Sequence, residues 1–351
     1  MKRYAGVLIV GLLAAVAAGI GLGAQAQEAP DWAYGYLKPV APGDTLAPPC
    51  PETAKPFPDC AFVGAPVPDD GVKHKLAGTD RTFTRNEAYF DYGPADWYPE
   101  DHPPMPDIVA KGKQAQGTRA CALCHYPNGQ GKMENGHVAG LPAAYILQQL
   151  DAFKTGARRS ADPRKANTNE MAGIARSLTD EEAKAAAAYF SSMKWRPWVR
   201  VIESDTAPAV RSTMNGLFLA IPNAAPVPLG QRIIVVAEHP ERTDTMRDPR
   251  AGFVAYVPVG SVARGEAIAT TGAGKTVQCG LCHGKDLMGM KDVPGIAGRT
   301  PTYTMRQLWD IQKGTRTSPQ MAPVVAKLTL EDMLNVTAYL ASQTVSVAGS
   351  Q

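Results

Sequence analysis

The chain has 351 residues, of which 44% are hydrophobic and 20% charged, a composition typical of folded proteins with two or three domains. The formal net charge is only +3, and no segment concentrates lysine and arginine. This distribution argues against a nucleic-acid-binding protein, which needs a strongly basic surface.

Lys2 and Arg3 are followed by an uncharged run, rich in alanine, glycine, leucine and valine, that continues to Glu28. The sequence AQA at 24–26 has the small-x-small form of a signal-peptidase site. We therefore predict a Sec-type signal peptide over residues 1–26 and a periplasmic location. An uncleaved membrane anchor is the alternative, because the apolar run is long for a signal peptide.

Residues 27–104 form an extension rich in proline and aromatic residues. They contain 14 of the chain's 30 prolines, and they carry 6 basic and 13 acidic side chains. Such proline density disfavours regular helix or sheet, and the aromatic residues argue against plain disorder. We expect an irregular, ordered extension lying across the other domains. In an exported protein, Cys50 and Cys60 also predict a disulfide.

The pattern Cys-x-x-Cys-His occurs twice, at 121–125 and 279–283, and each copy begins a repeat. The second copy aligns with the first at an offset of 158 positions, which falls to 150 after extra residues in the first copy. Two copies indicate a duplicated domain rather than a long repeat array. The aligned pairs include Tyr145 with Tyr303, Gln149 with Gln307, Gly156 with Gly314 and Met171 with Met321.

Each copy is predicted to contain three main helices with loops between them. One helix is expected to lead into each motif, over 105–117 and over 260–271. Thr179 and Thr329 begin capping-box patterns, which predict the start of the final helix in each copy. The two predicted domains, called the first and second repeat below, are residues 105–195 and 260–345.

Residues 196–259 separate the two repeats and are called the connector. Two runs rich in β-branched residues, 231–239 and 252–259, are bounded by glycine and proline. Such runs predict short strands, so the connector is predicted to be a small β-containing segment. Extended segments without a sheet are the alternative.

The Cys-x-x-Cys-His motif has three possible uses: a structural zinc site, a redox-active dithiol or a covalent haem attachment. A zinc site wants four ligands, usually from two separated pairs, whereas these motifs belong to copies that look independent. A redox dithiol is expected within a strand–helix alternation, and these surroundings read as helical. Covalent haem accounts for every residue, because two thiols bond to two vinyl groups and the histidine binds the iron.

The sequence therefore predicts two covalently bound haem c groups. The predicted attachment residues are Cys121, Cys124, Cys279 and Cys282. The predicted axial ligands of the iron are His125 with Met171 and His283 with Met321. The two methionines are chosen because they align and precede the final helix of each copy. A thioether ligand raises the reduction potential of haem, and simple core packing is the alternative role for each methionine.

These features resemble the di-haem cytochrome c4 group, which are class I c-type cytochromes in tandem. The second copy carries CGLCHG, VPGIAGR, GTR and MAPVVAKLT, and the first carries CALCH and AGLPAAYILQQLDAFKTGAR. The resemblance implies a mainly α fold with two tandem class I cytochrome c helical domains, to which the extension and the connector are added. It covers about half of the chain.

The resemblance also implies roles for residues around the motifs. The carbonyl of Pro294 is expected to hold the ring of His283, which fixes its tautomer. Gly136 and His137 stand at the aligned place in the first copy, so His125 is expected to use a different acceptor. His137 itself is expected at the surface or near a haem propionate. Two arginines stand where they could neutralise propionates, with a solvated surface position as the alternative: Arg158 and Arg316.

Two haems with both axial positions filled predict an electron carrier rather than an enzyme. The expected function is a periplasmic di-haem c-type cytochrome that carries electrons from a quinol-oxidising complex or a periplasmic dehydrogenase to a terminal acceptor such as an oxidase. One alternative is the cytochrome subunit of a dehydrogenase complex, and a more distant one is a di-haem peroxidase. No nucleic acid is expected as a partner, and membrane contact is expected only peripherally or through an uncleaved anchor.

Overall fold

The computed structural model describes residues 29–37, 69, 71–213 and 216–343. The predicted signal peptide over 1–26 and the predicted Cys50–Cys60 disulfide lie outside these residues. Helices dominate the described part, and the predicted mainly α class is confirmed. Every helix in that part is too short or insufficiently apolar to cross a lipid bilayer.

The described part of the extension is ordered and packs on the connector. Trp97 and Tyr98 are buried in a small core with residues of the same segment. The Trp97 indole donates a hydrogen bond to the carbonyl of Met246 at 2.7 Å, and Arg250 forms an ion pair with Asp101 at 2.7 Å. The elements of the extension are α1 (Asp31–Tyr34), β1 (His74–Lys75), β2 (Thr82–Phe83) and α2 (Arg85–Ala88).

The first repeat consists of five helices connected by loops. The helix predicted over 105–117 is wrong in length, because Gly112 adopts the left-handed conformation, with φ at +63°, and ends the helix early. The eight extra residues of this copy lie before a further helix that carries Met171. The helices are α3 (Asp107–Ala110), α4 (Cys121–His125), α5 (Ala143–Thr155), α6 (Ala166–Ser177) and α7 (Asp180–Ser191).

The capping box predicted at Thr179 is confirmed. The Thr179 side chain accepts a hydrogen bond from the backbone N–H of Glu182, and the Glu182 carboxylate accepts one from the backbone N–H of Thr179. These two bonds satisfy donors that the first turn of a helix leaves free. The start of α7 is therefore encoded locally, within four residues.

The connector contains the short strands that its β-branched runs predicted. A three-stranded sheet has the order β3-β9-β8, in which β3 is parallel and β8 antiparallel to β9. Its inner face is buried, with β8 fully buried along its length. The elements are β3 (Val199–Glu203), β4 (Thr206–Ala207), β5 (Val210–Ser212), β6 (Phe218–Ala220), β7 (Val227–Pro228), β8 (Ile234–Ala237), α8 (Pro240–Asp244) and β9 (Phe253–Val257).

The second repeat begins with the helix predicted over 260–271 and ends with the helix predicted after Thr329. These two helices, the first and last of the repeat, cross closely at Gly265, where a Cβ atom would lie 1.9 Å from the carbonyl oxygen of Asn335. Only glycine allows this approach. The elements are α9 (Ser261–Thr271), α10 (Gly280–His283), β10 (Gly289–Met290), β11 (Val293–Pro294), α11 (Pro301–Gln312), α12 (Ala322–Val325) and α13 (Leu330–Ser342).

Equivalent segments of the two repeats pair directly with each other. The backbone N–H of Arg159 donates to the carbonyl of Thr315 at 2.8 Å, and the N–H of Thr317 donates to the carbonyl of Ala157 at 2.7 Å. These bonds form an antiparallel bridge centred on the aligned pair of residues 158 and 316. The repeats therefore meet through the same segment of each copy, as in a two-fold symmetric interface.

The short helix α1 of the extension packs on α11 of the second repeat. The Tyr34 hydroxyl donates to Asp310 Oδ1 at 2.6 Å, and Arg306 donates to the carbonyl of Ala33. The Tyr36 hydroxyl donates to the carbonyl of Arg164 in the first repeat at 2.5 Å. Residues 29–37 therefore bind both repeats, in agreement with an extension that lies across the other domains.

Replacing Tyr34 by phenylalanine should lower the free energy of unfolding by about 1–3 kcal/mol, because the buried Asp310 carboxylate loses a hydrogen-bond donor. The matched control is Tyr36→Phe, which removes a bond to a neutral carbonyl and should cost about 0.5–1.5 kcal/mol. Denaturant unfolding of the holoprotein measures both values. A loss at Tyr34 no larger than that at Tyr36 would contradict the role assigned to the Tyr34–Asp310 bond.

Candidate cofactor sites

The first motif lines a cavity between the first repeat and α11 of the second repeat. Cys121, Cys124 and His125 share this cavity with Met171 of α6. An apolar cavity with two thiols, one imidazole and one thioether fits an iron porphyrin that is attached by two thioether bonds. Most of the remaining wall is apolar and includes Leu141, Ile146, Leu150, Phe153, Ile174, Leu178 and Phe190.

The imidazole of His125 is fixed by one hydrogen bond to the backbone. Its Nδ1 lies 2.7 Å from the carbonyl oxygen of Gly136. Because a carbonyl can only accept, Nδ1 carries the proton and Nε2 keeps a free lone pair. Burial lowers the pKa of His125, which favours the neutral ring that a metal ligand requires.

The second motif has the same arrangement. His283 Nδ1 lies 2.7 Å from the carbonyl oxygen of Pro294, and burial lowers the pKa of His283 as well. In both repeats the acceptor stands 11 residues after the histidine. The expectation that His125 would use a different kind of acceptor is therefore wrong, because a backbone carbonyl serves equally well from glycine or proline.

Both thiols of the first motif, and Cys279 of the second, lack the properties of a redox-active dithiol. Burial raises the pKa of Cys121 and of Cys124 to about 12 in each case, and it also raises the pKa of Cys279. Reactive dithiols instead contain a cysteine whose pKa is lowered by nearby positive charge or a helix N-terminus. This environment disfavours the dithiol interpretation of the motif.

The two aligned methionines occupy different local structures. Met171 lies within α6 and lines the first cavity together with His125. Met321 directly precedes α12 and packs, partly buried, against the core of the second repeat, as does Cys279. Each methionine thus belongs to the core of its own motif's repeat.

A network of hydrogen bonds crosses the contact between the repeats next to the first cavity. Each arginine of the aligned pair at 158 and 316 binds the glutamine of its own repeat as well as the glutamine and tyrosine of the other. Neither arginine is a solvated surface residue, so that alternative is wrong. The bonds run from Arg158 to Gln149 (3.0 Å), Gln307 (2.9 Å) and Tyr303 (3.0 Å), and from Arg316 to Gln307 (2.8 Å), Gln149 (3.0 Å) and Tyr145 (2.9 Å).

His137 is buried between the repeats and does not lie at the surface. Only 1% of it is exposed, and its ring contacts Trp195 and Trp198. Its Nδ1 binds the carbonyl of Gln130, and its Nε2 binds the hydroxyl of Thr300 in the second repeat. Burial lowers the pKa of His137 to about 3, so this ring is neutral and has a structural role.

Two arginines of the second repeat bind the loop at 133–137, whose Gly136 carbonyl fixes the imidazole of the first motif. Arg299 donates to the carbonyl of His137 at 2.9 Å, and Arg306 donates to the carbonyl of Met133 at 3.2 Å. These contacts lie on either side of Gly136, whose carbonyl binds the first motif's imidazole. Both arginines are buried, and sequence reasoning missed them because a lone arginine near a helix gives no signal of a partner about 160 residues away.

The two motifs differ strongly in their exposure. Leu123 in the first motif is 8% exposed, whereas the aligned Leu281 in the second is 65% exposed. Arg247 of the connector binds the carbonyl of Leu123, and the N–H of Ala120 donates to the carbonyl of Asp91 in the extension at 2.9 Å. The extension and the connector therefore bury the first motif and leave the second at the surface.

The family model described as cytochrome c matches residues 109–194. Residues 109–194 form a cytochrome c domain. Domains of this family carry covalently bound haem c and transfer electrons, which agrees with the geometry of the first site. The cytochrome c domain predicted for the first repeat is thereby confirmed.

Similar proteins include a cytochrome c4 and two proteins named for thiosulfate dehydrogenase. Cytochrome c4 of Pseudomonas aeruginosa is 37% identical over 80 residues, which are 22% of this chain and 40% of that protein. The thiosulfate dehydrogenase electron acceptor of Thiomonas intermedia is 24% identical over 233 residues, which are 65% of this chain and 80% of that protein. The solved structure of thiosulfate dehydrogenase (TsdBA) from Marichromatium purpuratum matches with a TM-score of 0.45 and 22% identity, over 69% of this chain and 40% of that one. This chain thus spans less than half the length of two of these three proteins.

Removing the thiols of one motif should remove one covalent haem. The double variant Cys279→Ala with Cys282→Ala is expected to halve the haem content per chain, because the thioether bonds need both thiols. The matched variant carries the same change at Cys121 and Cys124, which should remove the haem of the first motif and leave that of the second. A pyridine haemochrome assay against protein concentration measures the ratio. Equal haem content in the unaltered chain and the variant would contradict the assignment of the second motif.

Proposed function

We propose that this protein is a periplasmic di-haem electron carrier that accepts electrons from a dehydrogenase and passes them to a terminal acceptor. The observation that carries the proposal is that both motifs fix a neutral imidazole in the same way, at 2.7 Å from a carbonyl 11 residues later. The predicted signal peptide at 1–26, in which an uncharged run follows Lys2 and Arg3, supports export, and the covalent attachment of haem c takes place after export.

Haem c bound at each motif would supply a one-electron redox couple. His125 and Met171 would hold the iron at the first site, and His283 and Met321 would hold it at the second. If the chain's own side chains hold each iron in this way, no position would remain for a substrate. The proposal is therefore a carrier without turnover of its own, and a di-haem peroxidase is disfavoured.

The contact between the repeats supports transfer from one site to the other. Tyr303 and Gln307 of the second repeat line the first cavity, together with Arg158 of the first. These three side chains also belong to the network that crosses the contact. A contact held by several hydrogen bonds favours a constant distance between two redox groups, because neither repeat can rotate without breaking several of these bonds.

The proposed donor is a dehydrogenase that oxidises thiosulfate. The support is the similarity to the electron acceptor of thiosulfate dehydrogenase from Thiomonas intermedia, which extends over 65% of this chain and thus beyond a single cytochrome c domain. The proposed contact surface is the exposed second motif, where Val277 (50%), Leu281 (65%) and Met290 (50%) present apolar side chains to solvent. Neighbouring apolar side chains that face solvent are typical of protein–protein contact sites.

A permanent subunit of a dehydrogenase complex is the second candidate. The same exposed apolar surface favours it, because stable subunits bury apolar groups. Purification of the exported protein from its native cells, followed by size-exclusion chromatography, separates the two. Elution as a single free chain supports the carrier, whereas elution with a catalytic subunit at high salt supports the permanent complex.

Exchanging one methionine ligand should change one haem only. Met171→His is expected to lower one of two reduction potentials, because sulfur ligation raises the potential of haem. It should also halve the weak near-infrared band that sulfur-bound ferric haem shows. Met193→Leu, a buried methionine of the same repeat, is the control and should change neither. Two unaltered potentials in Met171→His would overturn the ligand assignment, as measured by potentiometric titration with optical detection.

Placing a charge on the exposed motif should slow electron entry. Leu281→Glu is expected to reduce the rate of reduction by purified thiosulfate dehydrogenase with thiosulfate about tenfold or more, the effect of losing one central contact of an interface. Ile221→Glu, at an exposed apolar residue of the connector, is the matched control and should keep the rate. Stopped-flow absorbance records both. Equal rates would argue against the second motif as contact surface, and no reduction of the unaltered protein would argue against this donor.

A further inference from the structure

A buried ion pair lies beside the first site and belongs to none of the contacts above. Arg119 Nη1 lies 2.7 Å from Glu170 Oε1, and both side chains are only 5% exposed. Asp91 of the extension approaches the same guanidinium, with its Oδ2 3.2 Å from Nε. Removing two charges from water carries a large penalty, and such pairs contribute less to stability than apolar packing would. The pair therefore needs an explanation other than stability.

The ion pair joins the two segments that carry the residues of the first site. Arg119 precedes Cys121 by two residues, and Glu170 directly precedes Met171 in α6. The pair thus fixes α6 with respect to the start of α4. Any rotation or sliding of α6 that displaces the Met171 thioether also separates the two charges.

Hydrogen bonds hold α6 near its two ends: Asn167 donates to Asn135 at 2.8 Å, and Ser177 accepts from Lys113 and Thr118 at 2.5 and 2.9 Å. The part of α6 around Met171 has fewer directional contacts. The buried residues of α6 are Glu170, Ile174 and Ala175, so two apolar side chains anchor a helix of 12 residues. Its N-cap residue, Lys165, makes no side-chain capping hydrogen bond. Apolar packing is also non-directional, whereas an arginine–carboxylate contact fixes orientation. The ion pair is therefore the directional side-chain contact nearest in sequence to Met171, and it is suited to set the position of this part of α6.

The second repeat places its methionine without such a pair. The residues that align with Arg119 and Glu170 are Val277 and Gln320, and both are exposed. Two neutral hydrogen bonds to backbone carbonyls fix the segment after Met321 instead. They run from Thr276 Oγ1 to Val324 O and from Gln312 Nε2 to Val325 O, each at 2.7 Å.

We propose that Arg119 and Glu170 are positioning residues that keep the Met171 sulfur directed toward the first motif. This proposal rests on the proposed function, because it takes Met171 as the axial ligand of the first haem. The pair acts through the helix and makes no contact with the cofactor. Its loss should therefore weaken sulfur ligation at the first site while both covalent attachments remain.

The test uses holoprotein carrying Met321→His, so that any near-infrared sulfur-to-iron band reports Met171 alone. Adding Glu170→Gln should lower the pH at which this band disappears by about one unit or more, the effect of losing a hydrogen bond to a charged group. Asp107→Asn is the matched control, because it alters an ion pair of the same repeat, Lys111–Asp107 at 3.0 Å, that lies at α3 and not at α6. Its midpoint should equal that of the Met321→His parent.

A second variant separates positioning from simple destabilisation. Arg119→Met with Glu170→Leu replaces the pair by apolar groups, which generally preserve stability. If the charges position α6, this double variant should unfold at the parental temperature but should still lose the near-infrared band at a lower pH than the Met321→His parent. A parental midpoint in Glu170→Gln, or in this double variant, overturns the proposal and leaves the proposed function intact. Absence of the band in the Met321→His parent itself instead overturns the assignment of Met171 as a ligand.

Discussion

Both candidate sites depend on one hydrogen bond, from an imidazole Nδ1 to a backbone carbonyl. The bond joins His125 to Gly136 and His283 to Pro294 at the same length, 2.7 Å. It assigns the ring proton to one nitrogen and leaves the other free to bind a metal. Because the acceptor belongs to the backbone, its side chain can differ between the repeats. The backbone must instead bring the carbonyl of the residue 11 positions later next to the histidine ring, and the loop after each motif does this.

The contact between the repeats also supplies hydrogen-bond acceptors to two arginines, of which Arg316 is buried and Arg158 half-buried. An arginine can donate five hydrogen bonds, and burial without partners would be costly. Here each arginine of the pair finds a glutamine in its own repeat, and a glutamine and a tyrosine in the other. The duplication supplies both halves of this arrangement, so the network is self-complementary in the way of a symmetric dimer.

Features encoded within a few residues could be predicted from the sequence, and features that depend on distant partners could not. The capping boxes at Thr179 and Thr329 involve four residues each and form as expected. The helix before the first motif ends early because Gly112 turns where a Cβ atom would meet the carbonyl of Thr118 at 2.3 Å. The buried state of His137 depends on Thr300, 163 positions away, and no local pattern records it. The motif residues themselves could be named because their spacing is set by covalent chemistry.

The loop at 133–137 has a consequence for how the protein matures. This loop completes the first site, yet Arg299 and Arg306, which bind its carbonyls, come much later in the chain. Because the chain is made and exported starting at its N-terminus, the first repeat appears before the second repeat, which carries these arginines, has folded. We therefore expect the N-terminal site to be finished last, after its C-terminal counterpart has assembled. A chain that ended at residue 195 would lack both arginines, and with them the contacts that hold this loop from outside the first repeat.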